Sequence, residues 1–368
     1  MTIAHIQWHT YRLPLRHPFA TAHGALTVRT GAIVTVITRA GVTGIGEIAP
    51  VPGFSTKSLP DMLASIPTLA VPLRGMRLDA ALALLSARSA AGSIPPPIAC
   101  GLEMALLDAL GKVQGHSVSA LLAPTGCVPR PAVPVNAVVT APETATAMAE
   151  AQQAVAHGFT CTKLKVGLSK STATEVARVA AVRTAIGPHT HLRLDANEAW
   201  NLDQALAILT ACMPYAIQYV EQPLPAGDLH GMRTLRQTIP IPIAADEALS
   251  TLTSARHILD QEAADILVIK PQQAGGLLAS RRIIQEAAAR GIHCVITAAI
   301  ETGVGLAAAL HLAAASPEIV FACGLATNHI LADDLIREDL PIDNGHLSIP
   351  QGPGLGITLD SEALHAYT

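Results

Sequence analysis

From about Pro131 onward the chain alternates short Val/Ile/Leu-rich runs with Ala-rich helical stretches. No other feature of the sequence constrains the fold as tightly. The runs cover 133–139, 162–166, 191–195, 217–221, 241–246, 265–270, 293–298 and 321–325. Eight runs separated by seven strong helical segments point to a β/α barrel. A doubly wound open sheet is the other architecture with this rhythm. Several helices carry end signals: Thr140-Ala-Pro-Glu143 fits a capping box with proline in the first turn. Gly158 and Gly291 sit where a helix should stop before the next strand. Half of the residues are hydrophobic but only 3% are aromatic, so the core must be built from Ala, Val, Ile and Leu. Such residues fill parallel strands buried on both faces.

The first 125 residues read differently, as α+β. Alternating runs at 32–38 and 43–48 flank Arg39-Ala40-Gly41, a hairpin turn, and an apolar helix follows over 97–112. Pro/Gly-rich pieces at 49–53 and 124–134 read as loops or linkers. With 368 residues the chain has room for a barrel plus this accessory domain. The expected division is an α+β domain over 1–125, a barrel over 126–349, and a tail over 350–368. That tail, with Gly352-Pro-Gly-Leu-Gly356, is expected to pack back on the first domain.

A net charge of −4 leaves no basic footprint for nucleic acid. The six cysteines are scattered without a C-x-x-C pair, which reads as reduced core cysteine. The start of the chain shows no secretory h-region. The most apolar stretch, 295–315, contains Glu301 and His311 and suits a buried strand and helix better than a membrane span. The expected setting is the cytoplasm, with no membrane partner. A homo-oligomer is compatible with the sequence.

The ionisable residues fall at strand ends. Lys163 and Lys165 lie in the second barrel run, Asp195 ends the third, Glu221 the fourth, Asp246 the fifth and Lys270 the sixth. The strand C-terminal ends form the active face of a β/α barrel. One charge there could be chance; charges on five consecutive strands, in otherwise apolar runs, are hard to explain structurally. Alternation puts Lys163 and Lys165 on one side. Strands two and six lie four apart, so Lys165 and Lys270 should face each other across the mouth. Asp195, Glu221 and Asp246 come between them. Three carboxylates without Cys or His suit a hard cation, Mg²⁺ with Mn²⁺ as substitute. Without it they would repel and raise one another's pKa. Such a cation and a cationic lysine stabilise the enediolate formed when a carbon beside a carboxylate loses its proton. A lysine acts as base only when neutral, a form that a neighbouring cation such as Lys163 favours at Lys165.

With these residues in place the chain resembles the enolase superfamily, in its muconate-lactonising-enzyme-like branch. The likeness rests on Lys163-Leu-Lys165, Asp195-Ala-Asn197, Glu221-Gln-Pro223, Asp246-Glu247, Lys270-Pro-Gln272 and Gly46-Glu47-Ile-Ala-Pro50, and covers nearly the whole chain. It implies a (β/α)7β TIM-like barrel with an N-terminal capping domain. Lysine bases paired with Mg²⁺ are a known property of that superfamily. Within the branch the chain looks most like the o-succinylbenzoate synthases. The cues are Pro18-Phe-Ala-Thr-Ala-His-Gly24, Glu47-Ile-Ala-Pro-Val-Pro-Gly-Phe-Ser55, Glu301-Thr-Gly303, Gly324-Leu-Ala-Thr327 and Asp333-Asp334. The resemblance implies a syn dehydration in menaquinone biosynthesis, acting on a small-molecule carboxylate. Lys165 would take the α-proton and return it to the departing hydroxyl, while Lys270 stays cationic. Asn197, Glu247 and Glu301 are candidates for orienting substrate or ligands. Glu247, next to Asp246, should point away from it, and Glu301 could instead simply begin a helix.

An N-acylamino-acid racemase, a dipeptide epimerase and a muconate-type cycloisomerase use the same scaffold; a non-catalytic barrel would lack the metal. In dipeptide epimerases the eighth strand ends in Asp-x-Asp, where this chain has Gly324-Leu-Ala-Thr-Asn328. Two patterns are decoys. Gly303-Val-Gly305-Leu-Ala-Ala307 approximates a dinucleotide fingerprint but lacks the following acidic residue. Its small residues suit close packing, or backbone N–H groups meeting a carboxylate. His189-Thr-His191 mimics a zinc pair at the wrong end of its strand. Substrate choice is expected from loops near 19–24 and 53–58.

Overall fold

The computed structural model describes residues 1–21, 24–50, 57–169 and 171–368. Parts of both loops expected to set substrate choice, 22–23 and 51–56, lie outside them. Strands β1 (Ile3–Thr21), β2 (Gly24–Thr38) and β3 (Thr43–Ile48) form an antiparallel sheet. The expected turn at Gly41, with φ of +82°, joins β2 to β3. Helices α1 (Leu59–Leu63), α2 (Ile66–Ala70), α3 (Leu78–Ala90), α4 (Pro96–Gln114) and α5 (Val118–Leu122) follow. Prolines open α4, and Gly115 at φ +70° closes it. β3 carries glycine at alternate positions because α4 lies against its backbone. A Cβ on Gly44 or Gly46 would stand 2.1 Å from Ala105 O or Gly101 O.

The first apolar run of the barrel splits in two. β4 (Ala132–Pro134) pairs antiparallel with β13 (His346–Ser348), itself paired with β12 (Ile342–Asp343). β5 (Ala137–Val139) enters the barrel. Pro134 has no N–H to donate to a continuous ladder. Beside β5 come β6 (Cys161–Lys165), β7 (His191–Asp195), β8 (Ile217–Glu221), β9 (Ile243–Ala245), β10 (Ile266–Ile269) and β11 (His293–Ile296), all parallel and in sequence order. The eighth run makes no ladder: Val135 bridges Cys323 and Thr297 bridges Gly324, and these single bridges close the ring. The open-sheet alternative is thereby excluded. Between strands lie α6 (Thr144–Ala156), α7 (Thr172–Ile186), α8 (Leu202–Cys212), α9 (Leu229–Thr238), α10 (Leu252–Asp260), α11 (Pro271–Ala274) with α12 (Leu277–Ala288), and α13 (Gly303–Ala314). No described helix is long and apolar enough to cross a membrane.

The expected capping box before α6 does not form. The helix starts at Thr144, and the N–H groups of Thr140 and Ala141 donate to the Glu150 carboxylate at 2.9 and 3.2 Å. Glu150 thereby takes the Thr140 N–H that a capping box would have given to the Glu143 side chain. Gly158 and Gly291 do follow helix ends, at φ +80° and +73°. Inside the barrel Tyr219, Ala244, Ile266, Val268 and Val295 pack together with Phe321.

Two buried carboxylates dock the N-terminal domain onto barrel helices. Glu47, ending β3, accepts Thr302 N at 3.0 Å, Thr302 Oγ1 at 2.7 Å and Gly305 N at 2.8 Å at the start of α13. Tyr11 Oη donates to it from β1. Glu103, on α4, accepts Leu278 N at 2.9 Å at the start of α12. Both use the unsatisfied N–H groups and positive dipole end of a helix. The small residues of Gly303-Val-Gly305 thus serve a carboxylate, as one of their two expected roles required: a Cβ on Gly305 would stand 2.9 Å from Glu47 Oε2. The tail returns to the first domain, with Gly354 N donating to His116 O and Leu355 N to Asp108. Five cysteines are buried, Cys127 is exposed, and all six are free.

Candidate active site

Parallel register places Lys165, Asp195 and Glu221 side by side at the ends of β6, β7 and β8. Asp246 follows β9 directly and Lys270 follows β10. Three strands separate β6 from β10, so the two lysines approach from opposite sides. All six charged residues of the expected constellation, with Asn197 and Glu247, line one cavity of about 1040 Å³.

Lys163 Nζ bridges Asp195 Oδ2 at 3.0 Å and Glu221 Oε1 at 2.9 Å. Lys165 Nζ stands 2.8 Å from Asp195 Oδ2 and donates to Asn197 Oδ1 at 2.5 Å. Lys270 Nζ lies 2.6 Å from both oxygens of Asp246. Burial alone would drive protons off Lys163, but Asp195 and Glu221 outweigh it and hold the group well above its usual range. At Lys270, too, burial opposes the charge, and Asp246 and Glu247 raise it. The carboxylates diverge. Burial opposes ionisation of Asp195, yet Lys163 and Lys165 together depress it. Glu221, which shares Lys163, is pushed up to about 7 by burial and by Asp195 and Asp246. The repulsion expected without a cation falls on Glu221.

Among the described residues no three His, Cys, Asp or Glu side chains are gathered into an ion-enclosing group; ammonium groups stand between the carboxylates. The donor chemistry nonetheless fits a hard divalent ion. Asp195, Glu221 and Asp246 are all-oxygen, buried donors, and Glu221 is short of positive charge.

Glu247 does not point away as strand alternation suggested. β9 ends at Ala245, so the two-residue period no longer governs it. Its Oε1 accepts Asn197 Nδ2 at 2.9 Å, and burial with Asp246 nearby lifts it to about 8. Glu301 is buried just before α13, outside the cavity lining, and its carboxylate accepts Ala299 N. Burial raises it to about 7. His189 and His191 are exposed at the opposite end of β7.

Several supporting residues escaped sequence reasoning. Gln222, fully buried at φ +37°, accepts Asp246 N at 3.0 Å and Ala248 N at 3.2 Å. Arg178, on α7, donates to Lys165 O at 2.6 Å and to Ala141 O. Glu175 accepts Gly167 N and Ser169 N just beyond β6. The available signal was positional: Glu175 and Arg178 fall on the same helix face as Val179, Val182 and Ile186.

The lysines and carboxylates on one barrel mouth, under an α+β domain, define a class of proton-abstracting barrel enzymes. Residues 146–363 match the enolase C-terminal domain-like family, and 5–123 match the mandelate racemase / muconate lactonizing enzyme N-terminal domain. The chain belongs to the enolase superfamily, in its muconate-lactonising-enzyme-like branch. It is 40% identical to an o-succinylbenzoate synthase of Thermobifida fusca over 223 residues, 60% of this chain and 67% of that one. It is 29% identical to muconate cycloisomerase 1 of Rhodococcus opacus, across 100% of this chain and 99% of the other. A dipeptide epimerase from Enterococcus faecalis, solved with Mg and the dipeptide L-Leu-L-Tyr, superposes with a TM-score of 0.90. It shares 26% identity and covers 97% of this chain and 100% of its own. The relatives are enzymes sharing one reaction type on small carboxylate substrates, and members of the superfamily bind Mg²⁺.

Proposed function

We propose that this chain is a Mg²⁺-dependent o-succinylbenzoate synthase, dehydrating a cyclic hydroxy-carboxylate to an aromatic acid, with Asp195, Glu221 and Asp246 as metal ligands. When bound, the ion supplies a Lewis acid that stabilises negative charge on the substrate carboxylate. Lys165, neutral at the moment of reaction, takes the α-proton; the C–H electrons pass into the enediolate. Lys270, cationic and anchored on Asp246, stands on the opposite side and offsets the new charge. The β-C–O bond then breaks, and Lys165 returns its proton to the leaving hydroxide as water. Removal and return on one face require one acid/base group, which Asn197 and Arg178 hold in place through its ammonium and its backbone.

The observation that carries the substrate class is the wall at the eighth strand. Gly324, Ala326 and Thr327 line the cavity there, beside Ala298, Ala299 and Ile300, and this wall carries no carboxylate to hold a substrate ammonium. The 40% identity to a synthase supports the same reading. The opposed lysines also suit two-base racemisation of an N-acylamino acid, which is the second reading. The test is turnover of the o-succinylbenzoate precursor with Mg²⁺, followed as aromatic absorbance. Loss of that turnover with EDTA and in Lys165→Ala is expected. No turnover, with α-proton exchange of N-succinylamino acids in D₂O, would establish the racemase instead.

A further inference from the structure

Ile300 is held in a backbone conformation that β-branched residues avoid. Its φ is +60°, in the left-handed region where its branched Cβ crowds the backbone. It lines the cavity, three residues beyond Thr297, which bridges to the eighth strand. Such strain persists only where the surroundings over-determine it.

The restraint comes from the other domain. Arg29, on β2 and 1% exposed, donates through Nε to Ile300 O at 2.9 Å. Its Nη1 donates to Pro50 O at 2.6 Å and Thr30 O at 3.2 Å, and its Nη2 to Ala49 O. One guanidinium thus ties three stretches of chain through their carbonyls. From the barrel side Gln272, two residues past Lys270, accepts Ala49 N at 3.1 Å and donates to Glu47 O at 2.8 Å. Residues 47–50 are therefore gripped by Gln272 and Arg29 together, which fixes Arg29 against the barrel.

We infer that Arg29 is a positioning residue for substrate binding: its fork holds Ile300 in the left-handed conformation and so sets the cavity wall at 298–300. The inference rests on that cavity being the substrate site proposed above. Only arginine presents five N–H donors in a rigid plane; lysine keeps the charge, but its compact three-donor ammonium cannot span these four carbonyls. Released from Arg29, Ile300 relaxes toward negative φ, its peptide turns, and the wall moves. Lys165 and Lys270 stay in place, because Asn197, Arg178 and Asp246 hold them independently. Binding suffers more than chemistry.

The experiment compares Arg29→Met, Arg29→Lys, Ile300→Gly and the two double variants. In Arg29→Met and Arg29→Lys, KM should rise about tenfold with kcat within about twofold. Backbone amides over 296–304 should exchange faster in both, a readout that needs no substrate. Glycine adopts φ +60° without strain, so adding Ile300→Gly should bring either Arg29 variant to within about twofold of the KM of Ile300→Gly alone, which carries the loss of the wall side chain itself; a general loosening of the domains would not be rescued this way. Wild-type behaviour of Arg29→Lys, failure of the rescue, or unchanged exchange at 296–304 each overturns the inference. If Arg29→Met does not fold, the Arg29→Lys pair decides alone. If the wild type turns over no substrate, the functional reading fails while the exchange comparison still judges Arg29.

Discussion

Lys165 and Lys270 are both lysines on carboxylates, yet the proposed chemistry asks different things of them. Lys165 must gain and lose a proton, so Lys165→Arg, which cannot give one up, should abolish turnover as fully as Lys165→Ala. Lys270 need only remain positive, so Lys270→Arg should keep measurable dehydration, about 10²-fold or less below wild type, where Lys270→Ala loses about 10³-fold or more. Steady-state rates on the precursor measure this. Equal, complete loss in both Lys270 variants would favour two-base chemistry. Gln222 makes a quieter contribution, holding the N–H groups of Asp246 and Ala248. Gln222→Leu strands those buried donors, at about 1–3 kcal/mol of stability. It should also weaken Mg²⁺ binding by titration calorimetry, because Asp246 loses its backbone anchor. The sequence showed this residue only as part of a motif, not what it holds. Glu221-Gln-Pro223 was legible as a motif, but a side chain that reaches across to the next strand end leaves no periodic trace.

At the scale of elements, the helix starts supply the more informative behaviour. Glu103 is buried against the first turn of α12, and burial lifts its carboxyl from an ordinary 4.5 to about 7 despite the N–H groups of Leu277 and Leu278. The folded state therefore keeps this proton where the unfolded chain has released it. Stability from Glu103 is fully present below about pH 4.5 and is lost as pH rises through about 7. The loss is on the order of 3 kcal/mol. In Glu103→Gln that part of the slope should vanish, so melting temperatures at pH 5 and pH 7.5 should differ less than in the wild type. Strand order was readable because the hydrophobic period repeats in every unit, with glycine stops after some helices, at Gly158 and Gly291. The start of α6 and the division of the first strand were not. The first turned on Glu150 taking the N–H meant for Glu143, the second on a proline within an apolar run. Both depend on partners chosen in three dimensions.

For the whole molecule, the joint between the two domains rests on Glu47. Its carboxylate accepts from Tyr11, Thr302 and Gly305 and is fully buried. Glu47→Ala orphans several donors at once and should cost about 3–5 kcal/mol, whereas Tyr11→Phe should cost about 1 kcal/mol. Urea unfolding followed separately in each domain would show it: two separated transitions in Glu47→Ala against one in the wild type. A wild-type-like curve would mean that the remaining contacts suffice to couple the domains.

The ring that carries the site is completed by the pairings of Val135 with Cys323 and of Thr297 with Gly324. The first of these joins segments from opposite ends of the barrel sequence. A ribosome must therefore deliver almost the entire barrel before its first strand meets its last neighbour. Until then β5 presents a bare edge, the kind of surface on which nascent chains pair wrongly. Synthesis rate and chaperone supply should thus govern the yield of this protein more than its final stability does.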